Sequence, residues 1–234
     1  MNIGVIPARL GSTRFPGKIM AALAGKPMVL HTYKQACKST RLDKVIIAVD
    51  NREVKTVLEQ FGAEVVMTAE NHQSGTDRVA EAVADIDAEI VVNIQGDEPL
   101  IEPAVIDSLI RLFDDSAVMM ASAASRNLPV PDLLNPNVVK VFLDQAFEAS
   151  EFRRVIPDNI IGGCYRHIGI YAFRQDVLLR FTKLPSSVNE KNYHLEQLRA
   201  LDNGIPIRML LTDYVSLGVD TPEDLKLIAE IIGL

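Results

Sequence analysis

Short β-branched runs and amphipathic stretches alternate through the first half of the chain. The runs are Asn2–Ile6, Lys44–Val49, Glu64–Met67 and Ile90–Ile94. Helices are expected between them over Met28–Lys38, Asn51–Phe61 and Asp77–Ala84, and after them over Pro103–Phe113. Such alternation argues for βαβ units and a mainly parallel sheet covered by helices on both faces. Asp50 with Glu53 three residues later reads as a capping box for the second helix. A further strand is expected at Val118–Ala124.

The second half is less regular. Val138–Leu143, Ile168–Phe173 and Ile207–Leu211 read as strands, and Gln175–Phe181 and Asn192–Leu201 as helices. A last helix has Thr221 as N-cap, Pro222 at its first position, Gly233 as terminator, and an apolar stripe of Leu225, Ile228 and Ile232. This half is expected to supply a small flap or dimerisation lobe, within one domain spanning 1–234.

Composition excludes several classes. With 48% hydrophobic residues over 234 positions the chain can bury a sizeable core. No apolar run approaches the roughly 20 residues of a membrane span, so no membrane insertion is expected. No basic segment leads into an apolar one at the N-terminus, which with two unpatterned cysteines, Cys37 and Cys164, leads us to expect a cytoplasmic protein with reduced thiols. A net charge of -7 without a basic stripe argues against nucleic acid as a partner. A phosphate site in such a chain must be local, or must recruit a metal.

Ligands of open parallel sheets gather beyond the carboxyl ends of the strands, where several conspicuous loops fall. IPARLGSTRFPGK (Ile6–Lys18) combines Gly11 and Gly17 with the cations Arg9, Arg14 and Lys18. Its backbone can form an anion nest and its cations can neutralise phosphate oxygens, though a solvated surface loop would have the same composition. It is neither a Walker A nor a Rossmann fingerprint. QGDEP (Gln95–Pro99) puts Asp97 and Glu98 past a strand end, as a Mg²⁺ site or as an acidic turn. In GVDTPED (Gly218–Asp224), Asp220 is a second candidate ligand or a partner for a helix N-terminus, and Glu223 and Asp224 read as dipole partners. SGTDR (Ser74–Arg78) can cap a helix or read a nucleobase. His167, in YRHIGIY, reads as a structural histidine or a ligand, and Glu196 with Arg199 as a surface ion pair.

Together IPARLGSTRFPGK, HQSGTDR, VVNIQGDEP, NPNVVKV, RHIGIYAFR, LEQLR and GVDTPEDL resemble the 3-deoxy-manno-octulosonate cytidylyltransferase (CMP-Kdo synthetase) family, in its order and over nearly the whole chain. The resemblance implies a nucleotide-diphospho-sugar transferase-like α/β fold, usually dimeric. It also implies a reaction in which CTP and Kdo give CMP-Kdo and pyrophosphate with Mg²⁺, activating Kdo for lipopolysaccharide synthesis. It places Ala8, Arg9, Ser12, Thr13, Arg14 and Lys18 around the nucleotide, with Arg9 and Lys18 on the triphosphate. Gln73, Ser74, Gly75, Asp77 and Gln95 then shape the cytosine and ribose pocket, and Asp97 and Asp220 hold Mg²⁺. Gln95, Arg153, His167, Tyr171, Glu196 and Gln197 face the sugar acid, and Arg9, Lys18, Asp97 and Asp220 form the catalytic set.

One tract departs from the family. FEASEFRRVIPDNIIGGCY (Phe147–Tyr165) replaces a stretch reading roughly YFSR…IP, and only spacing from Ile156–Pro157 puts Arg153 at the arginine position, with Arg154 an equally available cation. A related ulosonic acid such as 8-amino-8-deoxy-Kdo, or nucleotide binding without catalysis, therefore stands beside Kdo as an alternative.

Overall fold

β1 (Asn2–Ala8) is buried along nearly its whole length, as an apolar run covered on both faces should be. In the computed structural model, which describes residues 1–11, 15–156 and 163–233, the chain divides into two compact units. The first comprises Met1–Asp107 and Ser216–Leu234, the second Ser108–Val215.

In the first unit, β1 leads through the opening loop to a 3₁₀ turn (Lys18–Met20), the short pair β2 (Ala22–Leu23) and β3 (Lys26–Pro27), and helix α1 (Met28–Ala36). β4 (Lys44–Val49), α2 (Arg52–Gln60), β5 (Val65–Met67), α3 (Gly75–Ala82) and β6 (Ile90–Asn93) follow. Their sheet is parallel: β1 lies between β6 and β4, in register Asn2↔Ile90 and Ile3↔Lys44, and β5 adds outside β4 with Ile47↔Val65. The expected strands and crossover helices thus stand, with ends moved by a few residues. The capping assignment needs correction. Asn51, not Asp50, caps α2, accepting from the N–H groups of Glu53 and Val54. Asp50 is instead drawn to the buried guanidinium of Arg78.

α4 (Pro103–Arg111) carries the chain into the second unit. There β7 (Met120–Ser125), α5 (Val130–Leu134), β8 (Lys140–Leu143), β9 (Ala149–Arg153) and the 11-residue β10 (Cys164–Arg174) precede α6 (Gln175–Phe181). β10 runs antiparallel to β7 and to β8, with an irregularity between Ile168 and Tyr171, and β8 pairs antiparallel with β9. Lys140 is fully buried, and its Nζ donates to the carbonyls of Asn135, Val138 and Arg154 at 2.6–2.9 Å, pinning the β8–β9 region.

The helix expected over Asn192–Leu201 is two helices, α7 (Val188–Tyr193) and α8 (Gln197–Asp202). A Ser187–Glu190 capping box starts the first early, and His194, left-handed at φ 53°, ends it. β11 (Ile207–Thr212) pairs parallel with β7. The chain then returns to the first unit. There α9 (Pro222–Ile231) starts at Thr221, whose hydroxyl accepts from the Asp224 N–H in a capping box. Leu23, Met28, Val219 and Ile228 form a buried cluster that anchors α9 and with it the Gly218–Asp220 turn.

Candidate active site

The opening loop, the β6 exit and the approach to α9 meet in the first unit around a cleft of about 300 Å³. Arg9, Lys18, Gln95, Asp97 and Asp220 line it, as do Ser74 and Gly75 at the start of α3. Local backbone explains the convergence. Gly17, left-handed at φ 68°, donates to the Leu10 carbonyl and closes the loop, and Lys18 begins the 3₁₀ turn behind it. A Cβ on Gly96 would stand 3.3 Å from the Pro7 carbonyl, so a glycine lets the QGDEP turn lie against the end of β1. The Val219 N–H donates to the Asp97 carbonyl at 2.9 Å, tying the two acidic turns together.

Lys18 is the hub. Its Nζ donates to Asp97 Oδ2 at 2.5 Å, to Asp220 Oδ1 at 3.1 Å and to the Val219 carbonyl at 3.1 Å. Burial alone would lower the pKa of this ammonium, but Asp97 and Asp220 outweigh it and hold the pKa above the ordinary value. The two aspartates and a carbonyl thus already surround one cation with hard oxygen donors. That donor set fits Mg²⁺, which takes one or two carboxylates and completes its shell with phosphate oxygens and water. Among the described residues no cluster of three or more acidic, histidine or cysteine side chains offers a richer metal cage.

Other predicted nucleotide residues fall less directly on the cleft. Ala8 is buried at the end of β1. Ser74 and Asp77 form the capping box of α3, the local role their sequence also allowed. Gln73 is exposed, its amide donating to the Asn71 carbonyl. Ser12, Thr13 and Arg14 lie outside the described residues. Sequence reasoning passed over His72 and Arg78, which also line the cleft. The signal was present, since both belong to HQSGTDR and Arg78 lies one helical turn past the Ser74 cap.

Arg78 is 2% exposed and donates to Asp50 Oδ2 at 2.8 Å, to Thr68 Oγ1 at 2.5 Å and to the Ala69 carbonyl at 3.3 Å. It thereby ties α3 to the ends of β4 and β5.

In the second unit, the His167 ring meets Phe152 edge-on at 5.1 Å and Tyr171 at 5.5 Å, and His167 Nε2 lies 3.0 Å from Ser122 Oγ. Burial lowers the His167 pKa to about 3, leaving a neutral imidazole. Burial and then the charge of Glu196 raise the Tyr171 pKa, which places Glu196 beside this group. Gln197 is buried at the start of α8.

Two expectations need correction. Arg199 does pair with Glu196, at 3.8 Å, but not as a surface pair: it is 7% exposed, is held more closely by both oxygens of Glu190 at 2.5–2.8 Å, and lies over the Phe181 ring. The early start of α7 brings Glu190 to it. Nor is Arg154 as available as Arg153, because its guanidinium donates to the carbonyls of Pro136, Tyr193 and His194.

Arg153 pairs with Glu151 at 2.5 Å and lies over Phe142. Phe152 shares a face with its partner Val141, and Arg153 with Lys140, so strand alternation puts Arg153 on the face opposite Phe152 and His167. Arg153 opens on a cavity of about 690 Å³ that it lines with Glu151, Phe152, Asn189, Tyr193 and Asp202. His167 and Tyr171 are in contact and the charge of Glu196 reaches Tyr171; Gln197 is the next residue along the chain from Glu196, and Arg153 faces away from the His167 ring. Pro157, from which its position was counted, lies outside the described residues.

A sequence profile described as Cytidylyltransferase matches residues 3–209. The chain is 44% identical to a protein of Geobacter sulfurreducens named 3-deoxy-manno-octulosonate cytidylyltransferase, over 98% of this chain and 99% of that one. It is 47% identical to one of the same name from Solibacter usitatus, over 98% and 93%. Its fold superposes with a TM-score of 0.92, at 36% identity and over 99% and 98% of the two chains, on a solved CMP:2-keto-3-deoxy-manno-octonic acid synthetase complexed with CTP.

Proposed function

The chain belongs to the 3-deoxy-manno-octulosonate cytidylyltransferase family, and on that premise we propose that it couples CTP to Kdo, releasing pyrophosphate and forming CMP-Kdo. The observation that carries the reading is the meeting of Lys18, Asp97 and Asp220 in one cleft with Arg9 and Gln95. A cationic loop beside two carboxylates suits a triphosphate that the acidic groups tolerate only when a cation intervenes.

In this reaction the anomeric hydroxyl of the sugar acid attacks the α-phosphorus of CTP. The new bond joins the sugar oxygen to phosphorus as the hydroxyl proton passes to water, the α–β bridging bond breaks, and pyrophosphate leaves with the bonding pair. Such transfers depend on in-line placement and charge neutralisation. Arg9 and Lys18 bind the triphosphate oxygens and offset charge as it moves to the leaving group. Gln95 orients the nucleoside side of the cleft. Mg²⁺, held by Asp97 and Asp220, would polarise the α-phosphoryl oxygen and make the attacking hydroxyl more acidic. In the second unit, neutral His167 with Tyr171, Glu196 and Gln197 offers hydrogen-bonding partners to the hydroxyls of the acid.

The product is an activated sugar acid, matching supply of Kdo to lipopolysaccharide. No helix among the described residues is long and apolar enough to cross a membrane; a cytoplasmic reaction on water-soluble substrates is a separate part of the proposed reading. Assembly as a homodimer belongs to the same reading, as the family resemblance implies.

Pyrophosphate release with CTP, Mg²⁺ and a panel of acceptors tests the reading. Turnover with Kdo is expected. Turnover with 8-amino-8-deoxy-Kdo alone would replace the acceptor and keep the reaction class, and turnover with a hexose 1-phosphate would overturn both. CTP binding without turnover of any acid would leave a nucleotide-binding protein.

A further inference from the structure

His72 lines the nucleotide cleft, and its orientation is fixed from behind. Its Nε2 meets Glu81 Oε2 on α3, and the same carboxylate accepts from the Ala69 N–H at 2.9 Å. Arg78, one turn back along α3, holds the Thr68–Ala69 end of the same loop. The segment that delivers His72 is therefore clamped to α3 at both ends.

The clamp has a chemical consequence. Glu81 has a lowered pKa, chiefly through the Ala69 N–H, so it stays an ionised acceptor. A carboxylate can only accept, so the histidine nitrogen facing it must carry the proton. In the neutral imidazole the other nitrogen, Nδ1, is then an acceptor of fixed polarity.

Fixed polarity is what discrimination between pyrimidines requires. Cytosine presents an amino donor at position 4 where uracil presents a carbonyl acceptor. Among the described residues, His72, Ser74 and Gln95 are the uncharged polar side chains of the cleft. The Ser74 hydroxyl accepts from the Asp77 N–H as a helix cap. The Gln95 amide can rotate to present either its oxygen or its nitrogen, so alone it would suit both bases. The neutral His72 ring cannot make that exchange while Glu81 holds Nε2–H.

We propose that His72, oriented by Glu81, is a specificity-determining residue whose Nδ1 accepts from the 4-amino group of cytosine and disfavours uracil. The inference rests on the reading of CTP as the nucleotide substrate.

The test is a binding comparison by calorimetry of CTP, UTP and the triphosphate of 2-pyrimidinone riboside, which lacks the 4-substituent. It uses the wild type, His72→Phe and His72→Gln, with circular dichroism for folding. The wild type should bind CTP about tenfold or more tighter than the 2-pyrimidinone nucleotide, and tighter still than UTP. Either folded variant should bind the three within about threefold of one another, because CTP loses a partner and UTP loses a repulsion. Preference for CTP unchanged in the variants, or absent in the wild type, would overturn the role of His72. These outcomes are independent of turnover. Failure of the wild type to bind CTP at all would instead remove the proposed reaction and this inference with it.

Discussion

Lys18 donates to Asp97 at 2.5 Å and to Asp220 at 3.1 Å, across 79 and 202 positions of sequence. An ammonium group thus sits where two carboxylates from separate turns need a counter-charge. It keeps them close in the absence of any other cation, where a metal would compete with it for the carboxylates and a triphosphate would compete with the carboxylates for it.

Removing that ammonium should expose the repulsion it relieves. Lys18→Met is expected to lower the melting temperature in EDTA by several degrees, with most of the loss regained on adding millimolar Mg²⁺. Scanning calorimetry with and without metal checks this. A variant whose melting temperature ignores Mg²⁺ would show that the aspartates do not form a cation site.

The aspartates should matter to chemistry more than to folding. Asp97→Asn and Asp220→Asn each retain an acceptor for Lys18 and lose the charge. Turnover is expected to fall about 10²–10³-fold, the scale for losing one electrostatic contact to the transition state. Circular dichroism should remain that of the wild type. Turnover at the wild-type level in either variant would end the metal assignment.

The first unit was legible because its signals are local and repetitive. β4 matches its expected bounds, and α9 its expected cap and first position. The same logic failed where tertiary contact outbid local propensity. Asp50 had the spacing of a cap, but a buried guanidinium offers it a charge-assisted bond, and Asn51 next door could cap equally well. The meeting of Lys18 with both aspartates was inferred only from family resemblance, since no local pattern reports a contact spanning 202 positions. β9, α7 and the placement of Arg153 were not legible for a related reason. The β8–β9 tract is pinned by buried Lys140, whose Nζ reaches the Arg154 carbonyl 14 positions on, and the departure from the family pattern removed the guide.

The Asp50–Arg78 pair supports the nucleotide cleft from beneath. Asp50→Asn leaves a buried guanidinium facing a neutral amide and should cost about 3 kcal/mol of stability, the range for breaking one side of a buried pair. Because Arg78 also holds Thr68 and Ala69, the Michaelis constant for CTP should rise more than turnover falls. Urea denaturation with steady-state kinetics checks both. An effect of less than about 0.5 kcal/mol would place the pair among ordinary surface contacts.

His167 should make stability fall in acid. Burial sets its pKa at about 3 in the folded protein, against 6.5 for the free side chain. Between these values the unfolded chain binds the extra proton, so unfolding free energy rises with pH. The favourable state, a neutral folded ring, is fully present above 6.5 and is lost progressively as pH falls toward 3. His167→Gln cannot titrate, so from neutral pH downward the wild type should lose stability faster than the variant, and the gap between their urea midpoints should narrow or reverse. A gap that stays constant from pH 7 to about pH 4 would mean that His167 takes up its proton as readily in the folded protein as in the unfolded chain.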